Sequence, residues 1–127
     1  MRTWPDDNGD AIERHIQQLR PRNHGTIRVY RCILLGFQRF AQQCNDSAAI
    51  SPATIAAWLH NRAKCWPMHL VLHRARIVDR FLDYLASERS IPGNPLEQLR
   101  VRYGQRTGAP IVRALLAVDS AQALEAP

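Results

Sequence analysis

His69, His73, Arg76 and Arg80 recur at i, i+4, i+7 and i+11, a spacing that stands all four on one side of a helix. A row of imidazole and guanidinium donors suits phosphate, because guanidinium forks grip its oxygens in pairs and can also read guanine in the major groove of DNA. Arg28 and Arg31 lie close to the start of an earlier helical pattern that Thr26 opens. A helix N-terminus and two guanidinium groups there converge on the same chemistry. Arg62 and Lys64 fall in the connection between the two patterns and can add phosphate contacts. The alternative for each arginine is a solvated face paired with local acids, Arg76 with Asp79 or Asp83 and Arg80 with Asp83, and exposed pairs of that kind contribute little.

Other chemistries find less support. Cys65, His69 and His73 are spaced by four, but Pro67 puts Cys65 outside the regular helix and the tetrahedral site that zinc needs lacks a fourth ligand. The three cysteines, Cys32, Cys44 and Cys65, share no CxxC spacing, which points to reduced thiols rather than a disulfide framework. Tyr30, Tyr84 and Tyr103 read as core or boundary aromatics. With no nucleophile–base pair and no phosphate loop, the chain is expected to use no cofactor, no metal and no small-molecule substrate.

Composition sets the frame. A chain of 127 residues with 46% hydrophobic residues has room for one core. The formal net charge is +6, and Lys64 is the one lysine among 17 basic residues. Such a field favours polyanions. The longest apolar runs fall far short of the roughly 20 residues of a membrane span, and the acidic start Met1-Arg2-Thr3-Trp4-Pro5-Asp6-Asp7 does not read as a signal peptide. A cytoplasmic protein with no membrane partner is the expectation.

The elements that must carry these residues are helical. Ile12, Ile16 and Leu19 predict a short helix from Ala11 to Arg20, ended by Pro21, after a mobile leader from Met1 to Asp10. Thr26 is the expected N-cap of a helix reaching about Cys44, with Tyr30, Ile33, Leu34, Phe37, Phe40 and Ala41 inward. Ser51-Pro52 starts a short helix to His60, since Ser caps an orphan amide and Pro at the first helical position forfeits no hydrogen bond. Pro67 opens the longest helix, Met68 to about Glu88, whose Val71, Ala75, Val78, Leu82 and Leu85 form one stripe. Asn94 then caps a last short helix, opened by Pro95, that runs to about Tyr103. The predicted core comprises Tyr30, Phe37, Phe40, Ile55, Leu59, Val78, Phe81, Leu82, Leu85 and Ile91.

Taken together, Gly25-Thr26-Ile27-Arg28-Val29-Tyr30, Phe37-Gln38-Arg39-Phe40, Ser51-Pro52, Phe81-Leu82-Asp83-Tyr84-Leu85 and Ile91-Pro92-Gly93-Asn94-Pro95 resemble the N-terminal SAM-like core-binding domain of phage integrases and other tyrosine recombinases. The resemblance covers roughly Gly25 to Tyr103. It implies an all-α compact bundle of four to five helices that grips duplex DNA at a recombination site, alone or beside other recombinase protomers. Carried over by position, it implicates Thr26, Arg28 and Arg31 on the first long helix and His69, His73 and Arg76 on the second. The usual Ser/Thr-x-x-Thr at the start of the second is replaced by Pro67-Met68-His69-Leu70.

The expected organisation is a leader with a short helix over 1–24, the DNA-binding domain over 25–104 and a linker over 105–127 toward an absent catalytic domain. His73-Arg74-Ala75-Arg76 lies on the long helix of the binding domain rather than in the family's catalytic His-x-x-Arg motif, so the chain as it stands is expected to bind DNA without cleaving it. The rival expectation is a helical protein-interaction module that docks through the apolar tail Ile111 to Leu124.

Overall fold

The computed structural model describes Trp4 and residues 9–20, 23–44, 50–104 and 108–117. Among them the chain is all-helical, without strands: α1 Asp10–Leu19, α2 His24–Cys44, α3 Pro52–Ala63, α4 Met68–Ser87, α5 Glu97–Tyr103 and α6 Ala109–Ala117. Six helices stand where four to five were expected, because the segments at both ends each add a helix to the common core. The longest of the predicted elements lie within a few residues of their expected bounds.

Local chemistry explains the starts and stops. Asn23, not Thr26, opens α2: its Oδ1 accepts from the Gly25 N–H at 2.6 Å and its carbonyl from Ile27 N–H at 3.2 Å. A Cβ on Gly25 would stand 2.9 Å from that Oδ1, so the glycine permits the cap. Thr26 therefore sits inside the first turn. Ser51 caps α3 as expected, accepting from the Thr54 N–H, with Pro52 at the first helical position. The end of α4 is a Schellman motif, with Ser90 N–H donating to the Leu85 carbonyl at 2.9 Å and Arg89 in the left-handed region at φ 62°.

α4 is the centre of the bundle and packs against α1, α2, α3 and α6. Its inward surface is therefore wider than one stripe, with Ile77 and Phe81 buried beside Val71, Ala75, Val78, Leu82 and Leu85. Eight of the ten predicted core residues are buried, and Tyr30 and Phe40 pack half-buried against them.

Both ends correct the sequence reading. Trp4, assigned to a mobile leader, is 1% exposed. It stacks on Phe37 at 5.6 Å between centroids and meets Phe81 edge-on at 5.4 Å, arrangements that aromatic quadrupoles favour. Phe37 in turn meets Trp58 edge-on at 5.1 Å. Beyond Gly104, where little packing was expected, α6 buries Ile111, Val112 and Leu115 against the bundle, chiefly on α3. Those three side chains are thus used inside the chain rather than offered to a partner, and residues 118–124 of the proposed docking tail lie outside the described residues.

Candidate nucleic-acid interface

α4 carries the basic row on its outer side. His69, His73, Arg76 and Arg80 are all exposed, as the helical spacing requires of residues offset from the apolar stripe. The acids on the same helix point elsewhere. Asp79 is buried, and its Oδ1 accepts from Asn94 Nδ2 at 2.8 Å. Asp83 receives both guanidinium nitrogens of Arg100, each at 2.9 Å, and Asn94 Nδ2 at 2.9 Å. Both carboxylates of α4 are thus engaged by the turn after α4 and by α5.

Asn94 acts here as a turn residue rather than a helix cap. Its Oδ1 accepts from the Leu96 N–H at 2.9 Å, and α5 starts at Glu97, later than Pro95. Leu96 is buried beneath it.

The structure sorts the other candidates. His73 and Arg76 come together with Arg80, Ile77, Tyr30 of α2 and His15 of α1 around one cleft. Arg31 does not join them: its Nε donates to Glu13 Oε1 of α1 at 2.7 Å. Arg62 is half-buried, with its guanidinium 5.5 Å from the centre of the Trp66 ring. Arg74 lies over the same ring at 3.7 Å, a cation–π contact that fixes the α3–α4 connection. Arg28, Lys64 and His69 are exposed, and Thr26 is half-buried. Among the described residues no three His, Cys, Asp or Glu side chains gather as a metal-ligand set, so Cys65, His69 and His73 do not converge. Cys32 and Cys65 are exposed free thiols.

Sequence reasoning missed His15. It falls between Ile12 and Ile16 on the apolar face of α1, and that placement was the available signal. The ring is buried against Phe81 and Tyr84, with centroids at 5.4 Å and 5.1 Å. Burial, with the positive charge of Arg80 beside it, pushes its pKa from 6.5 down to about 4. α1 is held in place by exposed polar ties as well. Arg14 Nη2 donates to Glu88 Oε1 at 3.0 Å, while Tyr84 Oη donates to Glu88 Oε2 at 2.6 Å. These two bonds hold the Glu88 carboxyl below its ordinary range.

Comparison with known proteins adds one relative. The chain is 35% identical over 121 residues, 95% of this chain and 85% of the other, to the uncharacterized protein y4gB of Sinorhizobium fredii. No protein-family model and no solved structure matches it. Among the described residues no helix is long and apolar enough to cross a membrane.

Proposed function

The chain belongs to the family of the Sinorhizobium fredii protein y4gB, and we propose that it is a DNA-binding module with the SAM-like core-binding fold of phage integrases and other tyrosine recombinases. On this reading the outer face of α4, flanked by the N-terminal half of α2, lies along duplex DNA and holds it without cleaving it. Other protomers on the same DNA are its expected neighbours.

The observation that carries the reading is the separation of charge on α4. His69, His73, Arg76 and Arg80 are exposed on one side, while Asp79 and Asp83 are engaged by Asn94 and Arg100. A helix whose own acids are occupied presents a positive surface, and phosphate contacts dominate affinity for duplex while carrying little sequence information. Weak binding with modest sequence preference follows.

The test is anisotropy of a labelled duplex over a range of salt, comparing the wild type with an Arg28→Ala/Arg31→Ala/Arg76→Ala variant. Wild-type affinity should fall steeply with salt, and removing each arginine that grips a phosphate should reduce the slope of log K against log salt by about 1. Equal binding by the two proteins, or none by the wild type at low salt, would remove this face from the mechanism.

A further inference from the structure

Where α1, α2 and α4 meet, the fold leaves a cleft of about 190 Å3. His15 lines it from α1, Tyr30 from α2, and His73, Arg76, Ile77 and Arg80 from α4, so among the described residues its wall holds two guanidinium groups, two imidazoles and a phenol, and no carboxylate. His15 is 2% exposed, and among the described residues neither of its ring nitrogens has a hydrogen-bond partner. Buried polar groups are nearly always satisfied, so such a side chain beside a cleft marks a place where something else completes the bonding.

We propose that this cleft seats a single phosphate group, gripped by Arg76 and Arg80 on its exposed side with His15 behind them and His73 at its flank. Space is ample, since about 10–15 Å3 of such volume holds a water molecule. The donor set favours a tetrahedral oxyanion: two planar forks approaching from one helix can each take a pair of oxygens, and the imidazole and phenol supply further donors from other directions. The inference rests on the cleft and not on the DNA reading, although a backbone phosphate is one source of the group and a free phosphorylated ligand the other.

The electrostatics agree. Facing the His15 ring are Arg76, Arg80, His73 and Tyr84 of α4 and Tyr30 of α2. Among the described residues none of the groups facing it is a carboxylate, and Glu88, which accepts from Tyr84, is bound by Arg14. The two causes that hold His15 neutral are its burial and the charge of Arg80. A phosphate on Arg80 that also accepts from the ring offsets that charge, so His15 takes up a proton more readily when the cleft is filled.

Imidazole resonances of the full chain, followed by NMR during titration with inorganic phosphate, test this. His15 and His73 should shift together and saturably, the His15 titration should move up from about 4, and chloride at matched ionic strength should do neither. Arg80→Gln and Arg76→Gln alter exposed side chains, and each should weaken phosphate at least about tenfold, as removal of a charge-assisted bond implies; His73→Gln gives a third, chemically different variant. A short duplex that displaces phosphate would assign the group to the DNA backbone, and one that binds without displacing it would assign a free ligand. The proposal is overturned by shifts that chloride reproduces, by the absence of saturation, or by folded variants that bind phosphate like the wild type.

Discussion

Asn94 Nδ2 donates to Asp79 Oδ1 at 2.8 Å and to the Asp79 carbonyl at 3.2 Å, tying the turn after α4 to the middle of that helix. The same side-chain nitrogen reaches Asp83, and Arg100 closes the group with an ion pair to Asp83 at 2.9 Å. Arg100 is held above its ordinary pKa range chiefly by that hydrogen bond to Asp83.

Asn94→Ala should lower stability by about 1 to 3 kcal/mol, because it leaves the buried Asp79 carboxylate short of a donor. Asn94→Asp should cost more, since it sets a third carboxylate against Asp79 and Asp83. Urea unfolding of both variants measures the difference, and an aspartate variant as stable as the wild type would show that the network does not hold the turn.

Trp4→Ala should cost about 3 to 5 kcal/mol, the range for emptying a large aromatic site. The ring stacks on Phe37 and abuts Phe81 at the centre of the bundle. A shift in the denaturation midpoint equivalent to less than about 1 kcal/mol would return this residue to the status of a loose leader.

Acid should destabilise the fold through His15. Its pKa is 6.5 in the ordinary state and about 4 when folded, so the unfolded chain binds the proton more tightly. Stability is then fully present above pH 6.5 and lost as pH falls toward 4, with a loss of up to about 3 kcal/mol at 1.36 kcal/mol per pH unit of displacement. His15→Phe, which keeps an aromatic ring against Phe81 and Tyr84, should flatten that part of the profile. Thermal unfolding at stepped pH would show it, and a parallel profile in the variant would refute the assignment.

Glu13→Gln should tighten binding to duplex DNA. Glu13 holds Arg31 in an exposed ion pair at 2.7 Å, so a phosphate must compete for that guanidinium, and removing the carboxylate leaves it available. The salt slope should steepen by about 1, while stability changes by less than about 1 kcal/mol, as is usual for an exposed pair. Unchanged affinity would mean that Arg31 faces away from the nucleic acid.

The sequence announced helices most clearly where an apolar period met a stop signal. α3 and α4 could be read from Ser51-Pro52 and from the stripe Val71 to Leu85, because capping and amphipathicity are local properties. The basic row on α4 was legible for the same reason. Trp4 was not, since an isolated aromatic among polar residues has no periodicity, and its burial depends on Phe37 and Phe81 far along the chain. The partners of the α4 acids were not legible either. Asp79 and Asp83 engage Asn94 and Arg100, a choice made by the turn after α4 and by the reach of the Arg100 side chain.

The three tryptophans divide the molecule into two optical reporters. Trp4 and Trp58 are 1% and 2% exposed, so a collisional quencher in solvent cannot reach them while the chain is folded. Trp66 is half-buried, under the guanidinium of Arg74 and near that of Arg62. Its emission should be the component that iodide quenches, helped by the neighbouring positive charges. A polyanion that draws Arg62 from the ring would alter that component alone, so the unlabelled protein can report occupancy of its basic connection separately from the integrity of its core.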